Sequence, residues 1–138
     1  LSAMPSDSPY TVPPGLDDIV ELAEAAFAAM PKPLRDLVRG VAIIVEDSPD
    51  DETLAELGLD NAWDLTGLYR GTPLTQKSVL DVPQEPDTVL LFREPILLEW
   101  IETGEDLFGL VRNVLIHEIG HHFGFSDEDI ARLEGEEP

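Results

Sequence analysis

Ordered patterning begins at Leu16. Apolar residues fall at Leu16, Ile19, Val20, Ala23, Ala26, Phe27 and Met30, spacings that lay one stripe along a helix. Asp17 and Asp18 suit the positive first turn of that helix, and Pro31 and Pro33 stop it. Leu34 to Arg39 predicts one more helical turn, closed by Gly40. The period then changes. Val41-Ala42-Ile43-Ile44-Val45 is an unbroken, mostly β-branched run, the pattern of a strand buried on both faces. Asp47 to Asp60 is acidic and contains the turn signal Ser48-Pro49-Asp50, which predicts a loop with a short helical piece. Leu68 to Arg70, between Gly67 and Gly71, predicts a short strand, Lys77 to Asp87 is irregular, and Thr88 to Phe92 predicts another strand.

Pro95 is suited to open a helix over Ile96 to Ile101, because the first helical position needs no N–H, and Gly104 ends it. Thr103 and Asp106 have the spacing of a capping box, and the helix they start is expected to run to Phe123. Gly124 then stands where a left-handed residue reverses the chain. Ser126 and Asp129 repeat the capping spacing before a final short helix anchored by Ile130 and Leu133. Residues 1 to 15, with Pro5, Pro9, Pro13 and Pro14 among Ser and Asp, predict a flexible arm. Residues 16 to 138 then form a single domain, with no internal repeat.

The chemistry is concentrated in His117-Glu118-Ile119-Gly120-His121-His122-Phe123-Gly124-Phe125-Ser126-Asp127, the pattern H-E-x-x-H-x-x-G-x-x-D. Residues four apart share a helix face, so His117 and His121 present two imidazoles to one point, as a tetrahedral Zn²⁺ requires. Glu118 is placed to reach a water at the metal and act as general base. All three histidines of the chain lie between 117 and 122, so a third protein ligand is a carboxylate. A turn at Gly124 brings Asp127 back toward the pair, with Glu128 and Asp129 as rivals. Three protein ligands with one open position is the coordination of a catalytic zinc. His122 points about 100° away from His121 around the helix, which makes it an exposed residue or a support behind the ligands, and Asn113, one turn before His117, fits polar surface or such a supporting role.

This motif resembles that of the zincin metallopeptidases, in particular the small bacterial zincin-like metallopeptidases about one short domain long. Leu68-Tyr69-Arg70-Gly71-Thr72-Pro73-Leu74, Val89-Leu90-Leu91-Phe92-Arg93 and Val114 to Phe125 are similar to segments of the same family, and the likeness extends over residues 16 to 133. The resemblance implies an α+β, minimal zincin-like fold. In it a small mixed β-sheet, from strands near 41–45, 68–70 and 88–92, packs against the N-terminal helix and the motif helix. It favours Asp127 over its neighbours as third ligand to Zn²⁺ beside His117 and His121, with Glu118 as catalytic base in peptide-bond hydrolysis. A peptide or protein substrate would lie along an exposed edge strand, for which Thr88–Phe92 is one candidate. Tyr69 and Arg70 are candidates for stabilising a developing oxyanion. The methionine turn of metzincins is absent, since Met4 and Met30 lie far upstream. Eleven residues after Asp127 predict an open cleft with one lobe. A second expectation follows: a zinc-binding interaction module, non-catalytic or completed by a protein partner.

Composition narrows the partners. Eight basic against 29 acidic side chains give a net charge of −21, which repels phosphate backbones and argues against nucleic acid and anionic membranes. Such an acidic coat also keeps a protein dispersed. The absence of Cys excludes disulfides, thiolate metal sites and a cysteine nucleophile. No apolar run approaches the ~18 residues of a membrane span, and no basic, apolar leader is visible, so a cytoplasmic location is expected.

Overall fold

The computed structural model describes residues 11–38, 40–71 and 87–135. Most of the expected N-terminal arm, Arg39, Thr72 to Leu74 and the irregular stretch from Lys77 to Pro86 lie outside the described residues. The elements in chain order are α1 (Leu16–Ala28), α2 (Lys32–Leu37), β1 (Ala42–Glu46), α3 (Asp51–Leu57) and a 3₁₀ turn (Ala62–Asp64). After them come β2 (Gly67–Arg70), β3 (Thr88–Phe92), α4 (Arg93–Thr103), α5 (Leu107–His122) and α6 (Asp127–Gly135). The fold is α+β. No described helix is long and apolar enough to cross a membrane.

Local chemistry accounts for most element ends. Asp18 accepts the Gly15 N–H at 2.8 Å ahead of α1. Asp50 caps α3 by accepting the Thr53 N–H at 2.8 Å, and Gly58, at φ +68°, ends that helix. Two starts differ from the sequence expectation. Helix α4 begins at Arg93, with Pro95 as its third residue; proline is tolerated there because first-turn N–H groups have no helical acceptor. Asp106, not Thr103, caps α5, accepting the Gly109 N–H at 2.9 Å. Thr103 instead finishes α4, its hydroxyl donating to the Glu99 carbonyl.

The three strands run in the order β1-β3-β2, with β1 parallel and β2 antiparallel to β3. This corrects two expectations. Strand β1 is at one side of the sheet, not buried on both faces: Ile43 and Val45 pack on the core while Ile44 is 43% exposed. Thr88–Phe92 is the central strand, with Val89, Leu90, Leu91 and Phe92 all buried, so it offers no free edge. Its nearly all-apolar sequence fits a strand covered on both faces.

Side chains alternate across a sheet. Gly67 and Tyr69, opposite Leu91 and Val89, therefore share the face of β2 turned to the helices, and Leu68 and Arg70 take the other. Helices α1 and α5 pack on each other and on this face. Ile19, Ala23 and Ala26 of α1 meet Leu110, Val111, Val114 and Leu115 of α5 in one core with Val89 and Leu91. Leu16, expected on the apolar stripe, is 39% exposed. Pro14, assigned to the arm by composition, is buried, and its carbonyl accepts the Arg93 Nε–H at 2.6 Å.

Candidate functional site

His117 to His122 occupy the last turns of α5, a helix with buried residues along its length from Leu107 to Gly120. At the end of α5 the chain turns through Gly124, φ +87°. The Phe125 N–H reaches the Gly120 carbonyl at 2.8 Å and the Gly124 N–H reaches His121 at 3.1 Å. This paired closure needs a left-handed residue, and glycine takes it without steric cost. Ser126 and Asp129 then cap α6 reciprocally, Ser126 N–H to Asp129 at 3.0 Å and Asp129 N–H to Ser126 Oγ at 3.1 Å, as their spacing predicts. Helix α6 lies close on α5 because position 120 lacks a side chain: a Cβ there would stand 2.6 Å from Ile130 Cδ1.

That turn carries Asp127 back over the histidine pair. Asp127 Oδ1 is 2.7 Å from His121 Nε2 and 3.8 Å from His117 Nε2. Glu128 and Asp129 do not approach the rings; Glu128 faces Arg132, and Asp129 is engaged as the α6 cap. His117 Nδ1 lies 2.8 Å from the Asn113 carbonyl. A carbonyl only accepts, so Nδ1 carries the proton and Nε2 keeps its lone pair in the neutral ring, the tautomer a metal ligand needs.

Tetrahedral zinc with bonds of about 2.0–2.1 Å sets neighbouring donor atoms about 3.3 Å apart. The two distances to Asp127 Oδ1 bracket that value, so a small rotation of an exposed carboxylate would equalise them. Among the described residues no three His, Cys, Asp or Glu side chains stand in a geometry that holds a metal ion as they are. His121 Nε2 and Asp127 Oδ1 stand instead at hydrogen-bond distance, 2.7 Å apart. In donor chemistry, two imidazoles and a carboxylate, His117, His121 and Asp127 are a set suited to a divalent metal.

Glu118 sits on the side of α5 that meets β2. Burial is the main influence on its carboxyl and raises its pKa, against the lowering effects of His121, the Tyr69 backbone N–H and His117. The Tyr69 contact follows from register. Phe92 N–H bonds the Thr66 carbonyl, and hydrogen-bonded and non-bonded positions alternate in an antiparallel pair. The backbone groups of Gly67 and Tyr69 therefore point away from β3, and the Tyr69 N–H meets Glu118. Gly67 permits this approach, since a Cβ there would stand 2.7 Å from Val114 and 3.2 Å from Glu118.

The side chains of Tyr69 and Arg70 are engaged with other partners. The Tyr69 hydroxyl donates to Asp87 at 2.9 Å, its ring stacks on His122 at 3.8 Å between centroids, and burial followed by Asp87 raises its phenol well above the ordinary value. Arg70, on the opposite face, donates to Thr53 and Glu56 of α3. His122 is thus a packing partner of Tyr69, outside the cluster. The Asn113 carbonyl, the Tyr69 N–H and the close approaches at Gly67 and Gly120 were not expected. Backbone partners leave no mark in a sequence, whereas a glycine inside an otherwise apolar helix such as Gly120 is a usable signal of close packing.

An α+β fold that gathers two imidazoles, a carboxylate and a half-buried glutamate around one helix end defines the class. Residues 38–136 match the zincin-like metallopeptidase family, and the chain belongs to that family. A comparison with curated proteins gave no match.

Proposed function

We propose that this protein is a zinc-dependent peptidase in which His117, His121 and Asp127 hold the metal and Glu118 is the catalytic base. The observation that carries this reading is the meeting of Asp127 Oδ1 with both Nε2 atoms, at 2.7 and 3.8 Å, one residue from a carboxylate whose pKa burial has raised. Zinc, when bound, supplies Lewis-acid polarisation of the scissile carbonyl and acidifies water toward a pKa of about 7. Glu118 takes the proton of the attacking water and passes it to the leaving amine; a raised pKa suits both halves of that exchange. Among the described residues no strand covers the outer side of β2. Its outward groups at Gly67 and the Tyr69 carbonyl can align a substrate main chain beside Glu118, as in strand addition.

Metal analysis of protein purified without chelator should find one zinc per chain, falling sharply in His117→Ala and Asp127→Ala. A peptide-library cleavage screen should then show Glu118→Gln slower by about 10²–10⁴-fold. Protein that takes up no metal even at excess zinc would sink the reading. Cleavage that survives Glu118→Gln would remove the base assignment.

A second reading, a zinc-binding module without turnover or one completed by a partner, draws on exposure. The side chains of His121 and Asp127 are 51% and 78% exposed, and an open site excludes water poorly. Stoichiometric zinc without cleavage of any peptide would favour it.

A further inference from the structure

Beside the histidine pair lies an open cavity of about 210 Å³ that shares His117 and Glu118 as one wall. It is smaller than the ~300–1,000 Å³ of a typical small-molecule site, a scale suited to one side chain. Its remaining wall has two characters. Leu110 and Val114, on successive turns of α5, make an apolar side, while Thr66, Asn113 and Glu99 supply polar groups. Glu99 reaches the cavity from α4, far from the motif in sequence. Its backbone carbonyl is bonded by Thr103, but among the described residues its carboxylate has no cationic partner, and the cavity lining contains no Lys or Arg.

We infer that this cavity is a specificity subsite and that Glu99 selects a substrate with Lys or Arg next to the cleaved bond. The inference rests on the peptidase reading above. An extended basic side chain matches both features: its methylene stem lies along apolar surface while its charged head seeks polar groups. Leu110 and Val114 take the stem; the Glu99 carboxylate, assisted by Asn113 and Thr66, takes the head. A glutamate or aspartate side chain would meet the carboxylates of Glu99 and Glu118 and is rejected. The chain's net charge of −21 adds long-range attraction for basic peptides.

The test uses the full zinc-loaded chain and a fluorescent peptide series varied at one position flanking the cleaved bond among Lys, Arg, Gln, Leu and Glu. Cleavage is measured with wild type, and binding separately with Glu118→Gln as a trap. Lys and Arg peptides should exceed Leu and Glu peptides on the order of 10–100-fold, the range of a hydrogen bond to a charged group. Glu99→Gln should collapse that ratio, and Glu99→Lys should shift it toward Glu, with circular dichroism confirming that both variants fold. Basic preference in binding without any cleavage supports the subsite while refuting turnover. Cleavage with no basic preference, or with a preference indifferent to Glu99, overturns the inference and leaves the peptidase reading intact. Absence of both cleavage and binding for every peptide overturns both.

Discussion

Single side chains here are tuned by where the backbone ends. The Glu118 carboxyl is half-buried against β2 and receives one backbone N–H from Tyr69, so the cost of drawing a charge from water is only partly offset and its pKa is raised. Asp50 shows the opposite balance. Hydrogen bonds from the Thr53 side chain and then its backbone, with a smaller contribution from Arg70, hold its carboxyl below the ordinary aspartate value. A group depressed in the folded state adds stability above its unfolded pKa of about 3.9, and that stability is lost as pH falls through the folded value. Denaturation at pH 6 and pH 3 should therefore show Asp50→Asn costing stability at the higher pH and less at the lower one. An equal cost at both would show that the charge of Asp50 contributes nothing.

Between elements, the decisive contact is the hinge from α5 to α6. Gly124 at φ +87° sets the reversal, Gly120 lets Ile130 settle against α5, and the Arg112–Glu134 ion pair at 2.9 Å ties the two helices further along. Asp127, the first residue of α6, reaches His121 only because of this arrangement. A Cβ at position 124 meets no neighbouring atom, so the penalty of Gly124→Ala is conformational, about 1–2 kcal/mol for a left-handed residue. That variant should unfold at lower denaturant and bind zinc at least several-fold more weakly in a competition titration, while far-ultraviolet dichroism stays native. Unchanged zinc affinity would mean that Asp127 is not held by the turn, or does not bind the metal.

The whole molecule separates its core from its site. Ile19, Leu34, Leu91, Leu115, Ile116 and Ile119 are all fully buried among carbon neighbours, and none of that packing needs a metal. Zinc should therefore stabilise a chain that already folds. Binding to the native state alone adds RT ln(1 + [L]/Kd), about 4 kcal/mol at a thousandfold excess over Kd, which for a chain of this size raises Tm on the order of 10 °C. Thermal unfolding with zinc and with chelator should show that shift, with a cooperative transition in both. An unfolded chelated form would instead make the metal a structural element.

Properties that depend on a few neighbouring residues could be read from the chain directly. The α1 stripe, the Asp50 turn, the glycines at 104 and 124, the Ser126–Asp129 cap and the four-residue spacing of His117 and His121 all follow from local geometry, and they appear where expected. Strand order could not be read this way. Val41–Val45 and Thr88–Phe92 have nearly the same apolar pattern, yet pairing across more than forty residues makes one an outer strand and the other the centre. Other long-range contacts turn the outward backbone of β2 to Glu118, commit the Tyr69 hydroxyl to Asp87 and bring Glu99 of α4 to the cavity beside His117. Residue spacing fixes which side chains share a helix face, but which distant segment covers that face depends on packing all of them at once, and no local pattern encodes it.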